Sequence, residues 1–216
     1  MSAISTELLQ GILQHLLLVS AAVGIATLLG VLLGVVAYWV RGLGNVLLLA
    51  AEIIQTIPSL ALLALLMILF GLGNTTLVVG LVLYALLPIM RGTHTGLQNI
   101  SPHLREAARG MGMSRLQRLF GVELPLSFPL IFSGVKIALV NSLSVAVMGV
   151  LIGAGGLGGI IYRGIQSLQM QRILLGAVPV VLMALLLEYG MSFVEKWLTN
   201  TRRPQTHPLN SPEETI

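Results

Sequence analysis

LLLVSAAVGIATLLGVLLGVVAYWV, residues 16–40, holds no charged side chain. As a helix rising ~1.5 Å per residue it spans roughly 37 Å, enough to cross a hydrocarbon core of ~30 Å with some tilt. Outward from this stretch the pattern repeats. Residues 46–70, 75–90, 126–152 and 173–197 are also apolar. Glu52, Gln55 and Pro58 interrupt the second run, Lys136 the fourth and Glu188 the fifth. The third is short and is expected to extend at one end. Arg41-Gly42-Leu43-Gly44-Asn45 and Gly71-Leu72-Gly73-Asn74 read as turns, and residues 153–172 as a Gly-rich connection. The expectation is an all-α integral membrane protein, with five spans within residues 1–198. A polar tail, residues 199–216, carries Pro204, Pro208 and Pro212 and has the composition of a disordered segment. No internal repeat is visible, and five spans do not divide into the inverted halves of many secondary transporters.

Composition agrees. The 216 residues are 56% hydrophobic and 9% charged, against about 25% charged in soluble domains. A mean hydropathy of +0.93 leaves too little polar surface to coat a globule in water. All eight acidic residues are glutamates, which argues against carboxylate-rich metal or phosphoryl-transfer chemistry. With no cysteine, disulfides, thiolate metal sites and cysteine nucleophiles are excluded. The net charge of +4 flanks apolar runs, so the lipid bilayer and not nucleic acid is the expected partner. If residues 91–123 are cytoplasmic, the inside holds Arg41, Arg91, Arg105, Arg109, Arg115, Arg118, Lys196, Arg202 and Arg203. The outside then keeps only Arg163 and Arg172, with Lys136 in a span. That asymmetry puts the N-terminus outside and the C-terminus inside. Residues 1–14 lack Lys and Arg, so a cleavable signal is not expected.

Residues 91–123 form the one long polar segment. Ser101-Pro102 offers an N-cap followed by proline at the first helical position. A short helix runs through Glu106-Ala107-Ala108-Arg109 and ends at Gly110 and Gly112, with Leu104, Ala108 and Met111 on one stripe. Ser114-Arg115-Leu116-Gln117 has capping-box form, so a second short helix begins there. The expected product is a helical hairpin across the membrane face, with small residues where a partner could approach the backbone.

Glu106-Ala107-Ala108, then three residues, Gly112, nine residues, Val122, one residue and Leu124-Pro125 resembles the EAA loop of ABC importer permeases. Val122 stands where that family has isoleucine. The resemblance implies a five-span type I ABC importer transmembrane domain of the bacterial inner membrane, with a cytoplasmic EAA coupling-helix loop. It implies cytoplasmic ATP-binding subunits docked at Glu106, Ala107, Ala108, Gly110 and Gly112. It also implies a second permease subunit, identical or related, and an extracytoplasmic substrate-binding protein. ATP and Mg would be used by the partner; this chain has no Walker A sequence and is not expected to be an enzyme or to bind a cofactor. Ile54-Gln55-Thr56-Ile57-Pro58-Ser59-Leu60-Ala61-Leu62-Leu63-Ala64 is similar to the second span of osmoprotectant permeases, those for glycine betaine, choline or carnitine. Ile152-Gly153-Ala154-Gly155-Gly156-Leu157-Gly158 resembles both these and methionine permeases, so another small solute stays open. An ion-gradient carrier or channel is the alternative of a different class.

The other features read as follows. Gly153, Gly155, Gly156 and Gly158 fit the G-x-G-x-x-G dinucleotide pattern, but they follow a membrane span and no acid stands about twenty residues on. They are either a hinge or a plain loop at the outer mouth. Charges inside a membrane tend to pair or to face a cavity. Lys136 is therefore expected to pair with Glu188 or Glu52, or to line a solute pathway. Pro58, Pro88 and Pro179 remove backbone donors inside spans, which can kink a helix to shape a gate or serve packing alone. Trp39 and Trp197 sit near span ends as interfacial anchors, so no aromatic cage is expected.

Overall fold

The structure, a computed structural model, describes residues 2–200; it is helical, with no strand among them. In order come α1 (Ser2–Trp39), α2 (Arg41–Thr56), α3 (Ser59–Phe70), α4 (Asn74–Gln98), α5 (Pro102–Gly110) and α6 (Arg115–Arg118). A π-helical turn (Leu119–Glu123) leads into α7 (Leu124–Val147). A 3-10 turn (Met148–Ile152), α8 (Gly158–Gln166) and α9 (Met170–Asn200) complete the described chain. Among the described residues, four stretches are long and apolar enough to cross a membrane: Thr6–Trp39, Asn74–Gln98, Arg115–Ile152 and Met170–Trp197.

The second apolar run, where Pro58 is expected to be able to kink the helix, is broken outright. It is a broken pair, α2 and α3, bent by 103°. The cause is local. Pro58 has no N–H to continue α2, and its ring pushes the preceding residue out of helical backbone. Ile57 accordingly sits at φ −68°, ψ 127°, and Pro58 at φ −53°, ψ 135°. The third run is part of a 25-residue helix that continues to Gln98, so the loop starts later than Arg91. The connection at 153–172 is not all loop, since α8 occupies Gly158–Gln166. The expected tail lies, beyond Asn200, outside the described residues.

α1, α4 and α7 form the centre. Leu18, Val19, Ala22 and Ala26 of α1 meet Leu77, Leu81, Ala85 and Ile89 of α4 and Ala138, Leu143 and Ala146 of α7. Small residues set the spacing. A Cβ on Gly34 would lie 2.6 Å from Thr93 Cβ. On Gly92 it would lie 2.5 Å from the Leu130 carbonyl oxygen, and on Gly134 2.5 Å from that of Pro88. Gly30-x-x-x-Gly34 and Gly92-x-x-x-Gly96 thus let backbones approach, as lipid-embedded helices require when burial from water cannot drive them together. α9 packs at the edge, and Leu182, Leu185, Leu186 and Phe193 face outward.

These helices define two faces. The loop face carries the ends of α1 and α4 together with α5 and α6; the far face carries α8 and the start of α9.

Candidate functional site

At the loop face, α5 starts with Pro102 at its first position; Ser101 stands at the N-cap but makes no side-chain cap bond. Gly110 belongs to the helix, and Gly112 turns the chain. Gly112 has φ 77°, a left-handed conformation that suits glycine. Its N–H donates to Arg109 O, and Met113 N–H to Ala108 O at 3.2 Å, which closes a Schellman turn. The capping box at α6 is formed in both directions. Gln117 N–H donates to Ser114 Oγ at 3.3 Å, and Ser114 N–H to Gln117 Oε1 at 2.8 Å. Glu106 and Ala107 are exposed, whereas Ala108 is 1% exposed. The single stripe read from the sequence is therefore split: Leu104 and Met111 face outward and Ala108 inward. Leu116 and Phe120 are exposed beside them. Val122, Leu124 and Pro125 are half-buried at the root of α7. Pro125 also accounts for the π turn. A proline ring collides with the carbonyl four residues back, and the wider turn, with Leu124 N–H donating to Leu119 O, relieves this.

Glu123 ties the loop to the helices. It is 1% exposed and accepts from Arg118 Nε at 2.8 Å, while Arg105 Nε lies 4.0 Å away. Arg105 in turn donates to the carbonyl of Leu97 at the end of α4 and stacks 5.4 Å from the ring centre of Tyr38 on α1. One buried carboxylate therefore links α5, α6, the α4 end and the root of α7. Beside it opens a basic recess of about 820 Å³, lined by Arg105, Arg109, Arg115 and Arg118 with Tyr38 and Trp39.

Within the helices, the pairing expected for Lys136 is corrected. Lys136 Nζ donates to Glu195 Oε2 at 2.9 Å and to Ser192 Oγ at 3.3 Å. Glu188 is exposed, and Glu52 pairs with Arg91 at 2.6 Å. Glu188, Ser192 and Glu195 share one stripe of α9. The long lysine stem reaches along it toward the loop face, where charge is less costly.

Two cavities flank the α2–α3 break. One, of about 380 Å³, is lined by residues 55–59 together with Tyr84, Asn141, Ser142 and Ser144. A second, of about 390 Å³, shares Gln55 and runs toward the loop face past Pro88, Arg91, Thr95 and Ser133. Neither involves Lys136. At the far face, Gly153 has φ 71° and Gly156 φ 104°. Gly155 N–H donates to Asn74 Oδ1 at 2.9 Å. A Cβ on Gly158 would lie 2.1 Å from the Val147 carbonyl oxygen. The glycine segment is thus a packed turn between the 3-10 turn and α8, and no strand precedes it.

Residues 26–203 match the family described as the binding-protein-dependent transport system inner membrane component. The chain belongs to this family. Among its relatives is the carnitine transport permease protein OpuCD of Listeria monocytogenes, 40% identical over 200 residues, covering 91% of this chain and 90% of that one. The osmoprotectant import permease protein OsmW of Salmonella typhimurium is 41% identical over 191 residues, covering 86% and 89%. A glycine betaine/carnitine/choline transport system permease protein, OpuCD of Bacillus subtilis, is 39% identical over 196 residues, covering 90% and 86%. The fold is that of the MetNI methionine ABC transporter in an inward-facing crystal form, with a TM-score of 0.82 at 23% identity over 92% of this chain and 99% of that one.

For a permease of this family, sequence reading located the loop but not what anchors it. Glu123 occupies an unspecified position of the motif, between Val122 and Leu124. The available signal was a lone acid at the edge of an apolar run, five residues after Arg118. Asn141 and Ser142 were read as part of a span, although a polar pair there, opposite the Pro58 break, marks a cavity wall.

Proposed function

We propose that this chain is the membrane-spanning permease subunit of an ATP-driven importer for osmoprotectants such as glycine betaine, choline or carnitine. The observation that carries this reading is the identity of about two residues in five, over some nine-tenths of the chain, with permeases named for such solutes. Residues 101–125 are the coupling element. Exposed Glu106, Ala107, Leu104 and Met111 on α5 present the contact for a cytoplasmic ATPase, which binds ATP and Mg and performs the hydrolysis. Glu123 and its two arginines make the loop stiff, so that displacement of α5 is passed to α1, α4 and α7 instead of being lost in a flexible linker. The cavities at the α2–α3 break line the solute pathway, which a second permease subunit closes. An extracytoplasmic binding protein delivers solute at the far face. The loop face is cytoplasmic, with the N-terminus outside and the C-terminus inside the cell, as the basic residues dictate. The glycine turn at 153–158 and the Pro58 break are the segments around which the pathway opens.

The test is uptake of radiolabelled glycine betaine into proteoliposomes holding the permease with its ATPase and binding protein. The expected result is uptake that requires ATP on the ATPase side and is competed by unlabelled osmoprotectant. Transport of methionine but not betaine contradicts the solute, and uptake driven by an ion gradient without ATP contradicts the class.

A further inference from the structure

The α2–α3 break leaves backbone groups without partners inside the membrane. At the end of α2, Ile53 O accepts from Thr56 Oγ1, Ile54 O from Ile57 N–H, and Ile57 O from the Tyr84 hydroxyl. The carbonyls of Gln55 and Thr56 have no partner among the described residues. At the start of α3, Leu62 N–H donates to Pro58 O, while the N–H groups of Ser59, Leu60 and Ala61 have none among the described residues. The N-cap position is Pro58, which has no side-chain acceptor to offer. Such groups cost several kcal/mol each in lipid, and irregular backbone at this depth persists only where it lines protein or a cavity.

The cavity is there. Residues 55–59 form one wall, and Asn141, Ser142 and Ser144 of α7 form the other. Ser142 is an independent sign that something belongs in it: it is 2% exposed, it lines the cavity, and its hydroxyl has no hydrogen-bond partner among the described residues. No Lys, Arg or Glu lines this space. Its electrostatics come from two helix ends of opposite sign, the carbonyl end of α2 and the N–H end of α3, brought side by side by the 103° bend. A lone cation or anion satisfies one end and offends the other. A compact zwitterion satisfies both.

We propose that this cavity is a solute subsite of the permease itself for a small zwitterion. The free Ser59 N–H at the start of α3, which lines the cavity, takes the carboxylate, with Ser142 and Asn141 as side-chain donors. The free carbonyls closing α2 face the cationic end. The arrangement is the one by which broken helices bind charged solutes at mid-membrane. This rests on the osmoprotectant reading above and goes beyond it, by giving the permease a selectivity of its own for carboxylate-bearing solutes over choline.

The test is equilibrium binding of radiolabelled glycine betaine to the permease–ATPase complex in lipid nanodiscs without binding protein. The expected result is saturable binding, with choline weaker by about tenfold, the value of ~1.4 kcal/mol for one charge-assisted hydrogen bond lost. Ser142→Ala and Asn141→Leu should each weaken betaine binding about three- to tenfold on the same scale, with little effect on choline. Ser142→Ala, which removes a single oxygen, keeps the test valid if Asn141→Leu fails to assemble. The inference is overturned if a complex that imports betaine with its binding protein shows no saturable binding alone, if choline binds equally, or if both variants bind like wild type. A complex that imports some other solute and no osmoprotectant overturns the functional reading, and this inference with it.

Discussion

The loop-face half and the α2–α3 break solve opposite problems with different polar groups. At the loop face the charges nearest the helix roots are gathered into ion pairs among the described residues, although Glu123 Oε2 and Arg105 Nε keep no hydrogen-bond partner there and Arg109 and Arg115 line the basic recess. Glu123 holds Arg118, with Arg105 beside it, Lys136 holds Glu195, and Arg91 holds Glu52. At the α2–α3 break the groups are neutral and backbone donors and acceptors stay open. A matched, buried charge is rigid, because every displacement exposes an unpaired ion in low dielectric. An open polar wall is adaptable, because solvent or solute can complete it in turn. The first is suited to transmitting force and the second to passing cargo.

The comparison breaks first at Glu123. Replacing it by alanine leaves Arg118 and Arg105 without their buried counter-charge, a loss of about 3–5 kcal/mol. The expected outcome is a large fall in thermal stability and in uptake, read by unfolding in nanodiscs and by transport assay. If the loop were only a passive tether, stability would fall while the ratio of uptake to ATP hydrolysed held constant; the rigid-link account predicts that the ratio falls too.

A smaller effect is expected at Lys136. Lys136→Glu sets two carboxylates face to face in a partly buried site, at a cost of about 3 kcal/mol. The reciprocal change Glu195→Lys should restore most of the lost expression and stability, whereas Glu188→Lys should not. Rescue by Glu188→Lys instead would place the pair two helical turns away from where the structure has it.

The smallest stability change, and a clear functional one, is expected at Pro58. Pro58→Ala returns a backbone donor and removes the restriction on Ile57. Thermal stability should hold or rise, while uptake falls about tenfold, corresponding to ~1.4 kcal/mol lost from solute binding or opening. Unchanged transport would show that the break is packing and not pathway.

How much of this was legible in the sequence follows the range of each interaction. The α5 turn at Gly112 and the Ser114–Gln117 box are local, set within a few residues, and could be read directly. Membrane spanning was legible because hydropathy is additive along the chain. Pro58 signalled a kink, but its 103° size depends on Leu63 packing into the core against Gly80, a contact between separate helices. The partner of Lys136 was sought at Glu188 or Glu52; Glu188 lies on the right stripe of α9 but two turns from Glu195, since register along a helix is fixed by how α7 and α9 slide past each other, and Glu52 is taken by Arg91. Glu123 was missed because its partners come from three segments that only the fold assembles. Gly30, Gly34, Gly92 and Gly134 likewise gain meaning only when helices are laid together.

The central claim is that an ATPase works this permease through α5. Its most direct test is copurification of the Walker A ATPase with the full permease, for wild type and for Glu106→Lys, with thermal unfolding measured alongside. Because Glu106 is exposed and outside the ion pairs of the described residues, the variant should fold normally and lose the ATPase together with ATP-dependent uptake. Retention of the ATPase with unimpaired uptake by the variant would contradict the account.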